Sequence, residues 1–228
     1  MKLPFDKIYC LHLSEDKERE NQIKKQFKFL GITKQVDIWW TCKRNISNKI
    51  GKMITSLHTK FYNKYSKNNN SLYGNVFNCS FEHYSIIKQA YMRGFNNILI
   101  IEDDVVFNKD KETIQYIMNN IPDDYDIIKF FNEVTNTSYD DKPVQFINDK
   151  TDLKPYKISS LCYAISRNGM KIYIEEMDKN FRIADLILED LKCDENVNFY
   201  CLSKNEFCIT SDLWHCNSNI LFERFNND

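Results

Sequence analysis

The sequence predicts an α/β fold in which a mostly parallel central sheet is flanked by helices. Short apolar runs at Lys7–Leu13 and Ile98–Ile101 are typical of strands buried on both faces. Amphipathic patterns at about 15–30 and 76–90 predict helices between such strands. This alternation favours a layered α/β domain, and the length of 228 residues suits a single domain, residues 1–228.

The first part of the chain is expected to open a βαβ unit. After the first strand, Ser14 is a suitable N-cap for a helix from about Glu15 to Leu30, which Gly31 is expected to end. Val36–Trp40 is the second strand. The character of the sequence then changes, and we expect residues 43–75 to form a helical and loop excursion outside the sheet, a candidate flap.

Beyond this excursion, strand and helix patterns alternate again. A helix over Val76–Ala90 is expected to lead through Gly94 into the central strand. In chain order, the remaining elements are expected to be a helix at Asp110–Asn120, a strand at Asp126–Phe131, a loop or hairpin over 134–157, a strand at Ser160–Ser166, a turn at Asn168-Gly169, a helix at Met170–Met177, a mixed segment at Phe181–Leu191 and short strands at Asn198–Leu202 and Cys208–Ile209.

Composition argues against several classes of protein. The net charge is −1 and no basic stripe is present, so nothing indicates a nucleic-acid or membrane-binding surface. No window is long and apolar enough to span a bilayer, and the N-terminal residues lack the pattern of a signal peptide. We therefore expect a cytoplasmic protein with no transmembrane segment and no nucleic-acid partner.

The eight cysteines are scattered without a CxxC pair, and most lie in apolar runs. This pattern favours reduced thiols in the core of a cytosolic protein. A zinc site formed by Cys201, Cys208, His215 and Cys216 is an alternative, although the spacing matches no usual zinc pattern.

An acidic cluster, Glu102-Asp103-Asp104, directly follows the central strand. Adjacent carboxylates repel one another unless a cation neutralises them, and ligands of open α/β sheets bind at the carboxyl ends of the strands. Backbone alternation places Glu102 and Asp104 on one side and Asp103 on the other. Hard oxygen ligands suit Mg²⁺ or Mn²⁺, particularly beside substrate phosphates. The alternative is a solvated acidic turn after a core strand.

Five segments, taken in order, match motifs of a known enzyme family. They are KIYCLHLSEDKERE, NCSFEHYSIIKQA, ILIIEDDVVF, PDDYDIIKFF and CYAISRNGMKIY, the last followed by Asp185. Together they resemble glycosyltransferase family 25, the β-galactosyltransferase-type enzymes of lipopolysaccharide and collagen glycosylation. His12, Asn78 and Glu82 depart from the family pattern, which has asparagine, glycine and serine at these positions.

The resemblance implies a GT-A-like, Rossmann-like fold and an inverting transfer of a hexose, typically galactose. The donor would be a UDP-sugar, the acceptor a glycan or another glycoconjugate hydroxyl, and the cofactor Mn²⁺ (or Mg²⁺) bound against the donor diphosphate. The C-terminal tail, residues 203–228, would lie near the acceptor side.

The resemblance and the chemistry that an inverting transfer needs together suggest roles for particular residues. The metal ligands would be Glu102, Asp104 and His215. The residues that bind the donor and cofactor would be Leu11, His12, Leu13, Arg19, His83, Glu102 and Asp103. Asp185, an ionisable residue inside an apolar run, would be the catalytic base, with Glu189 and Asp190 as fallback bases.

Each of these roles has a structural alternative. His83 would also suit a buried structural histidine, Arg19 a solvated helix face, Asp185 a capping or salt-bridged residue, and His215 a stacked position beside Trp214. Two other functions remain open for the whole chain. One is a catalytically inactive sugar-nucleotide-binding protein. The other is a Mg²⁺-dependent nucleotidyltransferase, although its usual glycine-rich phosphate loop is not present among only five glycines.

Overall fold

The computed structural model describes residues 1–41, 70–107, 109–134, 145–148, 156–203 and 207–210. The strands are β1 Lys7–Leu13, β2 Val36–Thr41, β3 Asn97–Glu102, β4 Val105–Val106, β5 Ile127–Lys129, β6 Asn132–Val134, β7 Phe146–Ile147, β8 Tyr156–Ile158, β9 Cys162–Ser166, β10 Phe199–Leu202 and β11 Ile209–Thr210. The α-helices are α1 Lys17–Leu30, α2 Asn70–Met92, α3 Lys111–Asn119, α4 Arg167–Lys179 and α5 Ala184–Cys193, and a short 3₁₀ helix covers Thr33–Gln35.

The predicted α/β fold with a central sheet between helices is confirmed. The main sheet has seven strands in the order β2-β1-β3-β9-β5-β10-β7. Strands β2, β1 and β3 are parallel neighbours, as are β5 and β10. The sheet is mixed, because β9 runs antiparallel to both β3 and β5, and β7 runs antiparallel to β10. Two small antiparallel pairs, β4 with β11 and β6 with β8, lie outside the main sheet.

The central strand β3 shows how the sheet is covered on both faces. Leu99 and Ile101 pack in one core with α1 and α3, whereas Ile98 and Ile100 pack in a second core with α2, α4 and α5. All four side chains are fully buried. Side chains alternate along a strand, so the next residue, Glu102, is directed to the face that carries α2.

Helix α1 begins two residues later than the sequence suggests. The N-cap is Asp16, whose carboxylate accepts a hydrogen bond from the backbone N–H of Arg19 at 3.1 Å. The expected cap, Ser14, instead continues the strand hydrogen bonding by donating its backbone N–H to Thr41. The C-terminal end is as predicted, because Gly31 adopts the left-handed conformation with φ 70°.

The expected turn at Asn168-Gly169 is wrong, because both residues lie in the first turn of α4. Ser166 caps this helix directly at the end of β9, and its hydroxyl accepts a hydrogen bond from the backbone N–H of Gly169 at 3.1 Å. A Cβ atom at position 169 would lie 2.2 Å from the carbonyl oxygen of Asp126. The glycine therefore serves close packing between a helix and the sheet rather than a turn.

Other features follow or extend the predictions. Helix α2 begins at Asn70, inside the excursion expected over 43–75 and six residues before the expected start at Val76. Most of the candidate flap and nearly all of the C-terminal tail lie outside the described residues. Cys10, Cys162, Cys201 and Cys208 are buried, and the six cysteines of the described ranges form no disulfide with one another. Within those ranges no helix is both long and apolar enough to cross a membrane.

Candidate active site

A cavity of about 280 Å³ opens at the carboxyl ends of the three parallel strands β1, β2 and β3. Parallel register brings these strand ends to one edge of the sheet, where open α/β sheets bind ligands. Helices α1 and α2 close its sides. The residues that line the cavity are Leu11, His12, Leu13, Arg19, Thr41, Asn78, Cys79, Glu82, Glu102 and Asp103.

Asp103 organises the wall of the cavity next to β1. Its Oδ2 accepts a hydrogen bond from His12 Nδ1 at 2.7 Å and another from the backbone N–H of Leu13 at 3.2 Å. Its Oδ1 accepts from Arg19 Nη1 at 3.1 Å. His12 is fully buried, whereas the Arg19 side chain is 40% exposed. Asp103 is thus neutralised by the protein itself and joins the end of β1 to the start of α1.

Glu102 is held by a second set of partners on the opposite side. Its Oε1 lies 3.2 Å from His83 Nε2 and accepts a hydrogen bond from the Ser160 hydroxyl at 2.7 Å. The other ring nitrogen of His83 lies 2.9 Å from the Tyr163 hydroxyl. Burial alone would raise the pKa of Glu102, but the hydrogen bonds from His83 and Ser160 lower it overall, so this carboxylate is ionised.

Asp104 differs from its two neighbours. Its Oδ1 is buried and has no hydrogen-bond partner among the described residues. Burial raises its pKa from 3.8 to about 7, and the charge of Glu102 adds to the shift while Arg19 opposes it. A buried carboxylate without a partner is costly unless it stays protonated or binds a cation. Of the three carboxylates, Asp104 best fits a divalent cation.

The acidic turn also tests the predicted alternation of side chains. Strand β3 ends at Glu102, and Asp103 and Asp104 lie in the turn before β4. Glu102 and Asp103 diverge as expected, since one contacts His83 on α2 and the other Arg19 on α1. Asp104 lies in the turn, so strand alternation alone does not determine the direction of its side chain.

Asp185 lies at the edge of the site rather than in an apolar environment. It is exposed in the first turn of α5, because that helix buries Ala184, Ile187 and Leu188 on its other side. Its Oδ1 accepts a hydrogen bond from the backbone N–H of Ser160 at 2.7 Å. Since the Ser160 hydroxyl donates to Glu102, a single residue connects Asp185 with the acidic turn.

The two fallback bases proposed from the sequence are engaged in ion pairs. Glu189 pairs with Lys192, and Asp190 pairs with Arg182, so both fallback bases have cationic partners. His215 and Cys216 of the alternative zinc cluster lie outside the described residues, whereas its other two members, Cys201 and Cys208, are buried.

A lysine that the sequence interpretation passed over lies beneath the site. Lys129 at the end of β5 is fully buried, and its Nζ has no hydrogen-bond partner among the described residues. It lies 5.2 Å from the ring centroid of Tyr163. Burial lowers the pKa of Lys129, while the charges of Asp185 and Glu102 oppose that shift. The sequence feature that could have identified this residue is a lysine inside the otherwise apolar run DIIKFF.

Comparisons with individual known proteins show only distant similarity. No curated protein matches the chain by sequence. Among solved structures, A197 from STIV is 11% identical with a TM-score of 0.44, over 90% of this chain and 91% of that one. A glycosyltransferase involved in the glycosylation of the major capsid of PBCV-1 is 11% identical with a TM-score of 0.37, over 83% of this chain and 68% of that one. Both scores are too low to support an argument.

The family comparison covers most of the chain. Glycosyltransferase family 25, described as a lipopolysaccharide biosynthesis protein, matches residues 5–187. This range contains every residue that lines the cavity, together with Asp104 and Asp185. The resemblance found in the five sequence segments is thereby confirmed, and the chain belongs to glycosyltransferase family 25.

Proposed function

We propose that this glycosyltransferase moves a hexose, galactose, from a UDP-sugar to a hydroxyl group of a glycan, with inversion and with Mn²⁺ (or Mg²⁺) as cofactor. The observation that carries the proposal is the buried, unpartnered Oδ1 of Asp104 beside an ionised Glu102, next to a cavity at the carboxyl ends of parallel strands. Oxygen ligands of this kind suit Mn²⁺ and Mg²⁺.

The roles of the acidic turn are divided among its three residues. Asp104 and Glu102 would hold the cation, which when bound supplies positive charge against the departing diphosphate. Asp103 is already engaged by Arg19, His12 and Leu13, so its role is to position the end of β1. Asp103 also lines the cavity, so this positioning role is proposed beside the donor contact expected from the sequence.

The wall formed by β1 and α1 is proposed to take the nucleotide side of the donor. Leu11 and Leu13 line it with apolar groups and His12 with an imidazole that Asp103 orients. Arg19 is held at the cavity by the same carboxylate and brings a guanidinium within reach of phosphate oxygens. His83 on α2 contacts Glu102, and we propose that it sets the orientation of this carboxylate.

Asp185 is the proposed base that takes the proton of the acceptor hydroxyl. An inverting displacement needs such a base on the face opposite the leaving group. Asp185 is exposed to an incoming acceptor and is anchored by the backbone N–H of Ser160, whose hydroxyl contacts Glu102.

The metal assignment is tested by release of UDP from UDP-galactose at increasing Mn²⁺ concentration after treatment with a chelator. Asp104→Asn should lower turnover by at least ~100-fold, because the cation loses its main ligand. Asp123→Asn is the matched control, since Asp123 is exposed before the amino end of β5, which runs in the same direction as β3, and the cavity lies at the carboxyl ends of the strands. Undiminished turnover in chelator, or in Asp104→Asn, would remove the metal from the mechanism.

The base assignment is tested with Asp185→Asn. We expect kcat for transfer to fall by roughly 100-fold or more, while calorimetry shows unchanged binding of the UDP-sugar. Asp190→Asn on the same helix should transfer normally, because Asp190 is paired with Arg182. Normal transfer by Asp185→Asn would rule out this base.

A catalytically inactive sugar-nucleotide-binding protein is the second candidate. It is favoured by one observation, that protein partners already occupy Asp103 and Glu102. UDP-sugar binding with no UDP release across a panel of glycan acceptors would establish it. The family match leaves the nucleotidyltransferase alternative without support.

A further inference from the structure

Three potential metal ligands converge beside the acidic turn from two different elements. The thiol of Cys79, the imidazole of His83 and the carboxylate of Glu102 place one ligand atom each within 4.8 Å of the other two. His83 Nε2 and Glu102 Oε1 are 3.2 Å apart. Cys79 and His83 are four residues apart on α2 and so share one face of the helix. Ligand atoms around tetrahedral zinc lie roughly 3.3–3.8 Å apart, so only a small movement of the thiol is needed.

Neighbouring hydroxyl groups orient two of these ligands. The Tyr163 hydroxyl lies 2.9 Å from His83 Nδ1, and the two rings are stacked with centroids 5.7 Å apart. Without a metal, Nε2–H donates to Glu102. On metal binding the proton would lie on Nδ1, where the tyrosine hydroxyl can accept it, and Nε2 would bind the metal in place of that hydrogen bond. The Ser160 hydroxyl holds Glu102 Oε1 at 2.7 Å. Partners of this kind are a regular part of metal sites because they fix the tautomer and orientation of the ligands.

The charges around the thiol favour a cation. Burial raises the pKa of Cys79 well above its ordinary value, and the charges of Glu102, Asp185, Asp104 and Asp103 raise it further. Arg19 and the buried Lys129 act on these carboxylates as opposing charges, and Arg19 already pairs with Asp103. The local excess of negative charge therefore favours a bound cation at this position.

We propose that Cys79, His83 and Glu102 bind a zinc-class divalent transition-metal ion. Cys79 and Glu102 both line the cavity, so the remaining coordination position faces it and is open to water or a ligand oxygen. A thiolate with an imidazole selects Zn²⁺ or Co²⁺ over Mg²⁺ and Mn²⁺, which prefer oxygen ligands. The site lies beside the proposed Asp104 site, shares only Glu102 with it, and does not depend on the transfer reaction.

Cobalt binding to the full chain tests this site without any activity assay. Under reducing conditions, chelator-treated protein titrated with Co²⁺ should develop a thiolate-to-cobalt absorption band that saturates at one ion per chain, and Zn²⁺ should abolish it. Cys79→Ser should lose the band. Cys193→Ser is the matched control, because Cys193 is exposed at the end of α5 and should leave the band unchanged.

Further variants separate the ligands from their surroundings. Tyr163→Phe should weaken Co²⁺ binding by about 10- to 100-fold while keeping the band, since the ring remains and only its hydroxyl is lost. Asp104→Asn should keep the band even where it abolishes Mn²⁺-dependent transfer, so failure of the two proposals can be told apart. A band that survives Cys79→Ser, for example through Cys208, would overturn the site.

The proposal also has a test that needs no variant. X-ray absorption at the cobalt edge of the wild-type protein should show one sulfur ligand together with nitrogen and oxygen ligands. This measurement decides the matter even if Cys79→Ser does not fold. A cobalt ion without a sulfur ligand, or protein that takes up no cobalt at equimolar concentration, would overturn the assignment.

Discussion

At the scale of single residues, three consecutive carboxylates have three different environments. Asp103 is paired with a histidine and an arginine. Glu102 stays ionised because its contacts with His83 and Ser160 lower its pKa. Asp104 has a buried oxygen without a described partner, and its pKa is raised to about 7. Environments that push the pKa values of neighbouring acids in opposite directions are typical of functional sites.

The raised pKa of Asp104 gives a prediction about stability in the absence of metal. The folded state holds this proton more tightly than the unfolded chain does, so the stabilisation is complete below about pH 4 and is lost as pH rises through about 7. Asp104→Asn cannot ionise and should avoid that loss. We expect the variant to gain about 2 kcal/mol over wild type between about pH 5 and pH 8.5, measured by urea unfolding in chelator. Equal pH dependence of the two proteins would contradict the assignment.

At the scale of secondary-structure elements, the ends of helices decide where the site residues lie. Because Asp16 rather than Ser14 caps α1, the helix starts so that Arg19 in its first turn reaches Asp103. Likewise, the four-residue spacing on α2 places Cys79 and His83 on the face next to β3. The chemistry of the site thus depends on helix register as well as on residue type.

The cap of α1 can be tested by a pair of substitutions. Asp16→Ala removes the hydrogen bond to the backbone N–H of Arg19 and should lower the free energy of unfolding by about 1 kcal/mol. The ion pair of Asp16 with Arg19 spans 3.5 Å between half-exposed groups and contributes little. Ser14→Ala should change stability by less than about 0.5 kcal/mol. Chemical denaturation followed by circular dichroism measures both, and a larger effect at Ser14 would reverse the cap assignment.

At the scale of the whole molecule, the mixed sheet and its two helical layers bring the site together. Strands β1, β2 and β3 end at the same edge, α1 and α2 cover opposite faces, and β9 brings Ser160 and Tyr163 to the same region. Close contact between layers is required on the α4 side. There the absent side chain of Gly169 lets the helix approach the carbonyl of Asp126.

The packing of this layer predicts unequal effects of two glycine substitutions. Gly169→Ala forces a Cβ into the Asp126 carbonyl and should destabilise the fold by about 3 kcal/mol, since backbone must move. Gly94→Ala meets no atom within 4 Å and should cost only about 1 kcal/mol, from its φ of 81°. Urea unfolding gives both values. A milder effect at Gly169 than at Gly94 would show that the layers separate easily.

Much of the fold could be predicted from the sequence because it depends on local patterns of residues. The run Lys7–Leu13 is β1 with the bounds expected, and Gly31 ends α1 as its conformational freedom allows. The turn expected at Asn168-Gly169 failed because the reason for that glycine lies in a carbonyl far away in the sequence. Local composition indicates that a glycine is needed without indicating which neighbour requires it.

The sequence by itself determined the α/β fold class, the buried central strand and the position of three carboxylates at its end. Only the tertiary structure decided which of them is neutralised. Asp103 meets Arg19 and His12 across 84 and 91 residues of chain, and His83 meets Tyr163 across 80. Apolar periodicity constrains each residue with respect to its own element, whereas hydrogen bonding and pKa depend on which distant elements pack against it.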